Sequence, residues 1–171
     1  VITISKPKTE DAEAIHDVIK KSWYATYVNN QIGITKEDID SMYADEPEAQ
    51  VRAIRKRAQF PTDDDVSLVA KYGEKIVGFI RLKIGIDSVE LVSMYVEPDY
   101  FNQGIGTKLW LEAIQKLPKE KQITVEVATY TKAIDFYKKI GFSDTGERSV
   151  TEKMLRSGNS IPLMKMVYFS R

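Results

Sequence analysis

The sequence has no cysteine. That excludes a disulfide-stapled scaffold, thiolate metal sites, cysteine nucleophiles and acyl-cysteine intermediates. A single histidine, His16, rules out a multi-histidine metal site and leaves one possible centre for a histidine-based triad. Charge of one sign is also missing, since 25 Lys and Arg face 25 Asp and Glu, and no global basic field exists to recruit nucleic acid or an anionic membrane. No apolar run approaches the ~18 residues of a membrane helix. Residues Val1 to Lys8 lack a signal peptide's apolar core. No repeat, low-complexity tract or Pro/Gly/Ser linker divides the chain. These absences predict one cytoplasmic domain over residues 1–171, with no metal, nucleic-acid or membrane partner, acting as a monomer or homodimer.

What is present is an ordinary globular composition, 43% hydrophobic and 29% charged. A chain of this length buries roughly 70% of its unfolded surface and needs no staple. Residues 1–6 alternate as a short strand. Thr9 with Glu10, Asp11 and Glu13 reads as an acid-rich helix start, followed by an apolar stripe at Ile15, Val18, Ile19 and Trp23. A second helical stretch runs from about Thr35 through the fifties, interrupted near Pro47. Its charge is lopsided, with six acids and one base over residues 31–50. From Val66 the pattern turns to strands: Val66–Tyr72 and Lys75–Ile84 joined at Gly73–Glu74, then Ser88–Val96. A helix from 104–106 to Leu117, a strand Ile123–Ala128 and a helix Thr131–Ile140 follow, capped by Gly141. Two strands near 143–150 and 161–169 close the chain. This order predicts an α/β fold with a mostly antiparallel sheet, one parallel pair made by a right-handed strand–helix–strand crossover, and helices on both faces.

The chemistry concentrates in residues 91–110, where a strand runs through a glycine-containing loop straight into a helix. Free amides and the positive dipole end at such a helix start suit phosphate. Glycine at 104 and 106 is expected to let the main chain approach it closely. The loop is neither of two common phosphate binders. A Walker loop needs Gly-Lys followed by Ser or Thr, where this chain has Gly106, Thr107 and Lys108. A dinucleotide fingerprint needs a third glycine at 109, which is Leu109.

The segment does resemble the acyl-CoA-binding loop of the GNAT (GCN5-related N-acetyltransferase) superfamily, through Val96, Pro98, Gly104 and Gly106, with Phe101 where Gln or Arg is usual. Residues 68–80 are similar to the hairpin ahead of the family's cofactor strand. Residues 133–142 resemble its Ala-x-x-x-Tyr-x-x-x-Gly-Phe helix, and 162–166 its last strand. The resemblance covers about 66–169 as a cofactor-binding core. It implies a helical acceptor lid over about 7–60 and a GNAT sheet of about seven strands with one splayed parallel pair.

That resemblance implies a direct transfer. Acetyl-CoA would lie along the open main-chain edge at Met94, Tyr95 and Val96, as a peptide augments a sheet. Its pyrophosphate would sit on the amides of Asn102, Gln103, Gly104, Ile105, Gly106 and Thr107. Tyr130, standing where an Asn usually precedes the helix, is also placed with the cofactor. A backbone N–H near Met94–Val96 would steady the oxyanion. Tyr137 takes the family position of the acid that protonates the departing thiolate, although an amphipathic helix places an aromatic there with no chemistry required. Glu90 lies fourteen residues before Gly104, as does the base of the histone-modifying branch. Strand alternation sets it on the face of Val92, Met94 and Val96. A solvated strand-end carboxylate, with ordered water as base, is the other reading.

His16 reads as a partly buried structural residue. Trp23, Tyr24 and Tyr27 read as lid packing or as lining for an acceptor slot. The acids of 31–50 form either a solvated helix face or an electrostatic funnel for a cationic amine, and residues 52–57 supply bases that would pair with them. Ser22 to Tyr27, followed by a long helical region, resembles the polyamine acetyltransferases of the PaiA type. The expectation is therefore an N-acetyltransferase acting on a small-molecule amine such as spermidine. The alternatives are a protein N-terminal or lysine acetyltransferase and a non-catalytic acyl-CoA-binding regulatory module.

Overall fold

Period-two apolar patterns over residues 65–96 and period-3.6 patterns over 12–27 and 105–114 require a sheet with helices against it. A computed structural model, describing residues 1–44, 46–152 and 155–169, has this architecture. The elements in chain order are β1 (Ile2–Ser5), α1 (Ala12–Tyr27), α2 (Lys36–Ala44), α3 (Pro47–Gln59), β2 (Asp65–Tyr72), β3 (Lys75–Ile84) and β4 (Ser88–Val96). After these come α4 (Ile105–Ile114), β5 (Gln122–Ala128), α5 (Ala133–Lys139), β6 (Ser143–Val150) and β7 (Pro162–Phe169). The expected second helical stretch is two helices. Pro47 cannot donate to a preceding turn and instead opens α3 at its first position.

One seven-stranded sheet runs in the order β1-β2-β3-β4-β5-β7-β6. Only β4 and β5 pair in parallel. On one face, α4 and α5 bury Ile105, Leu109, Trp110 and Phe142 against Ile80 and Leu82. On the other, α1 and α3 press Ile15, Val18 and Ile54 onto Val69 and Phe79. A third apolar cluster joins Ile34 and, on α2, Ile39 and Tyr43 to Ala128 at the end of β5 and to Ile161 before β7. The lid therefore bridges both halves of the sheet. Among the described residues, no helix is long and apolar enough to cross a membrane.

Two buried carboxylates help to hold the lid. Asp11 just before α1 is buried and pairs with Lys71 of β2 at 3.1 Å. Asp38 in the first turn of α2 is 1% exposed and accepts from the Thr35 amide at 2.9 Å, the Ser157 amide at 2.8 Å and the Ser157 hydroxyl at 3.0 Å. This pins the lid to the β6–β7 connection and removes Asp38 from the surface, where the funnel reading had placed it. Burial pushes its carboxyl up, but the hydrogen bonds from Thr35 and Ser157 outweigh that and leave it below the ordinary aspartate range.

Replacing Asp38 with Ala leaves the Thr35 and Ser157 donors without their acceptor and is expected to cost about 1–3 kcal/mol, readable in urea unfolding. Because the folded carboxyl sits below its unfolded value of about 4, its contribution is fully present above that value. It is lost as pH falls through the lower folded one. The stability gap between wild type and Asp38→Ala should therefore close on acidification below about pH 4.

Candidate active site

The site begins with a backbone mismatch. β4 pairs with β5 only over Ser88–Glu90, opposite Gln122–Thr124. Past that point β5 continues against β7 as far as Ala128, while β4 continues against β3 as far as Val96. The main-chain edge of Leu91–Val96 is thus left without a strand partner on the β5 side, an obligatory set of donors and acceptors open to a ligand. Arg81 pairs with Ser93 and Leu82 with Leu91, so Val92 is an extra residue on β4. Such a bulge bends its strand and shifts the alternation of side chains.

The bulge corrects one sequence expectation. Val89, Leu91, Met94 and Val96 all face the α4 side, because their partners Ile84, Leu82, Ile80 and Gly78 share one face of β3. Glu90, Ser93 and Tyr95 face the opposite, α1 side, paired with Lys83, Arg81 and Phe79. Glu90 is therefore not on the face of Met94 and Val96. It is exposed beside the lid, on the same face as Tyr95.

Beyond β4 the chain passes through a short turn over Pro98–Tyr100. Asn102 (φ 61°) and Gly104 (φ 76°) are both in the left-handed region, and they re-aim the backbone into α4. Asn102, Gln103 and Gly104 are exposed, Gly106 and Thr107 half-buried, and Ile105 tucks beneath into the core. The first amides of α4 have no intrahelical acceptor, so the expected pyrophosphate cradle is geometrically available. The two glycines differ in purpose. A Cβ on Gly104 would meet nothing within 4 Å, so that residue serves the positive φ and leaves open space above the loop. A Cβ on Gly106 would lie 3.2 Å from the Phe136 ring, so Gly106 serves the contact between α4 and α5. Phe101 is 40% exposed at the loop's rim.

One acid here escaped the sequence reading. Glu97 is 4% exposed and paired with Lys75 at 2.9 Å and Lys21 at 3.5 Å. It ties α1 to the start of the loop. Its only sequence signal is its place between Val96 and Pro98.

Tyrosines converge on the open edge. Tyr137 of α5 is 8% exposed, with the rings of Phe136 and Phe142 set edge-on at 5.4 and 5.5 Å. Burial pushes its phenol well above the ordinary value, and the neighbouring Tyr95 phenol adds to the shift. It therefore stays protonated at neutral pH, as a proton donor must. Tyr95 hangs from β4 towards Trp23, 6.4 Å between ring centroids, and burial pushes its phenol up too. Tyr130 has another commitment. Its hydroxyl donates to the Tyr27 carbonyl at 2.8 Å, so it latches α5's entry to the end of α1. Burial pushes its phenol up to about 12.

Of the remaining candidates, His16 is half-buried, bonded through Nε2 to the Gln50 side chain at 2.8 Å and set edge-on to Tyr43, as a structural residue joining α1 to α3. Glu37 and Asp40 remain exposed, and Asp40 accepts from the Tyr24 hydroxyl. Among the described residues no cluster of His, Asp or Glu is arranged to hold a metal ion.

Comparison with known proteins agrees with this geometry. The model of the acetyltransferase (GNAT) family matches residues 33–142. A spermidine N(1)-acetyltransferase from Thermoplasma acidophilum is 30% identical over 165 residues, 91% of this chain and 99% of that protein. The crystal structure of the PaiA N-acetyltransferase from Thermoplasma acidophilum in complex with coenzyme A superimposes with a TM-score of 0.72 at 27% identity, covering 98% of this chain and 99% of that one. The peptidyl-lysine N-acetyltransferase YjaB of Salmonella typhimurium is 26% identical over 171 residues, 98% of this chain and 99% of that protein.

The loop geometry generates a direct test. Gly104→Glu forces an L-residue to φ 76° and puts a carboxylate in the open space above the α4 amides. Calorimetry should show loss of coenzyme A binding, with the fold retained by circular dichroism.

Proposed function

The chain belongs to the acetyltransferase (GNAT) family and transfers an acetyl group from acetyl-CoA, and on that premise we propose that its acceptor is a primary amine of a polyamine such as spermidine. The observation that carries this reading is the full-length relation, 30% identity over 91% of the chain, to a spermidine N(1)-acetyltransferase. The lid supports it, because Glu37 and Asp40 leave exposed carboxylates on α2.

The residues divide the work as follows. The free edge of Met94–Val96 takes main-chain hydrogen bonds from the pantetheine arm, and the amides of residues 102–107 take the pyrophosphate. A β4 amide near Tyr95 stabilises the oxygen of the tetrahedral intermediate. The neutral amine attacks the thioester carbon, the C–N bond forms and the C–S bond breaks. Tyr137, its phenol protonated at neutral pH, donates to the departing sulfur. Glu90 stands exposed on the lid side and takes the amine's proton directly or through water. Tyr130 supports the lid through its bond to Tyr27.

A second reading is favoured by the relation to a peptidyl-lysine N-acetyltransferase over 98% of the chain. In that case the same cleft accepts a lysine side chain presented on a peptide.

A thiol-release assay with acetyl-CoA against spermidine, spermine, aminoglycosides and short peptides decides between them. Under the polyamine reading spermidine gives the highest kcat/KM, and its KM rises with salt while kcat stays flat, because exposed carboxylates are screened over ~8 Å at physiological ionic strength. A lysyl peptide that outcompetes every polyamine overturns it. Tyr137→Phe keeps the ring packing and removes the donor. Its kcat should fall by about 10²–10⁴-fold with coenzyme A affinity unchanged, and full kcat in that variant returns Tyr137 to a packing role.

A further inference from the structure

The face of β4 opposite the α4 core meets an array of aromatic rings from the lid. Trp23 of α1 is its hub, with ring centroids 4.3 Å from Tyr27, 6.2 Å from Tyr43 and 6.4 Å from Tyr95. Trp23, Tyr27 and Tyr95 remain half-exposed, although they lie between the lid and the sheet. The Trp23 indole N–H and the Tyr27 hydroxyl both approach the Tyr95 oxygen as donors.

Two further phenols sharpen the picture. Tyr43 and Tyr137 are 6% and 8% exposed. Among the described residues, no protein group pairs with either hydroxyl. Yet among the described residues no buried side-chain oxygen lacks a partner, so both hydroxyl tips open onto accessible space. Each hydroxyl can therefore hydrogen-bond to water or to a ligand that enters that space. Burial pushes the Tyr43 and Tyr137 phenols up, and Tyr95 adds to both shifts. Trp23 packs on Tyr43 and Tyr95, and its chain neighbour Tyr24 donates to the exposed carboxylate of Asp40. This connected set of rings ends at a surface anion. No lysine or arginine lies in it, and His16, edge-on to Tyr43, is held by Gln50.

We propose that this array is the acceptor track: the ring faces of Trp23 and Tyr95 with the hydroxyl of Tyr43 hold the reacting end of a linear amine, and Asp40 holds its second, distal ammonium. The proposal rests on the polyamine reading and names the residues that would enforce it. Electron-rich ring faces attract a cation without taking its proton. None of the array's members is a lysine or arginine, so an anionic acceptor finds no ion pair there. Placing the Asp40 carboxylate at the outer end makes charge number, rather than size, the property selected.

The test compares spermidine with butylamine as acceptors in the full-length chain. Asp40→Asn, at an exposed position that does not threaten folding, should raise the KM for spermidine and shrink the preference for spermidine over butylamine. Trp23→Leu and Tyr43→Phe should raise the KM for spermidine by about 2- to 30-fold with the KM for acetyl-CoA unchanged and thermal melts confirming the fold. A wild-type chain that acetylates spermidine, with a KM indifferent to Asp40→Asn and Tyr43→Phe, overturns the track while leaving the polyamine reading in place. A wild-type chain inert towards every diamine and polyamine overturns both.

Discussion

Everything functional in this protein depends on two parallel strands that pair for three residues and then stop. Ser88–Glu90 of β4 bonds to Gln122–Thr124 of β5, and the next six residues of β4 have no partner on that side. An unpaired strand edge is ordinarily a liability, inviting aggregation. Here it lies inside the sheet, with β5, β7 and β6 beyond it and the lid across one face. Only a slender extended ligand can use it. The Val92 bulge belongs to the same device, because it bends β4 where pairing ends and turns Tyr95 towards the lid.

The open edge requires that the two halves of the sheet be held together by something other than strand pairing. The lid does this. α1 packs on the β2–β4 half, and Ile34 with Ile39 and Tyr43 of α2 joins the end of β5 and the start of β7. Three polar anchors fix it: Asp11 to Lys71, Asp38 to Ser157, and the Tyr130 hydroxyl to the Tyr27 carbonyl. Each joins residues far apart in sequence, so each draws on the finished fold rather than on local propensity. The same clamp that completes the sheet makes the walls of the cleft.

The opposite face shows how closely packing and chemistry are tied. α4 must bring its first amides to the mouth of the cleft while its body packs on β3. Gly104 meets the first need through a backbone only glycine adopts without strain, and Gly106 meets the second by giving the Phe136 ring its place. Phe136 is the neighbour of Tyr137 on α5. A change at Gly106 therefore reaches the candidate acid through ring packing, with no contact to the loop's ligand.

Much of this was legible in the residues. Period-two and period-3.6 patterns located all seven strands, Pro47 marked the break between α2 and α3, and the spacing of Val96, Pro98, Gly104 and Gly106 pointed to the loop and the family. Those signals are local, and local sterics and hydrophobic periodicity determine them within a few residues. The face of Glu90 was misread because strict alternation holds only without a bulge, and a bulge is decided by the register of the neighbouring strand. Asp38 looked like a surface acid because nothing near it in sequence reveals Ser157, 119 residues away. The array of Trp23, Tyr43, Tyr95 and Tyr137 draws on four separate elements, and each member alone is an unremarkable core aromatic. The sequence by itself determined the elements, their order and the loop that starts α4, whereas the tertiary structure decided which side chains share a cleft. That division is physical: secondary structure answers to neighbours along the chain, but the burial, pairing and pKa of a side chain answer to neighbours in space.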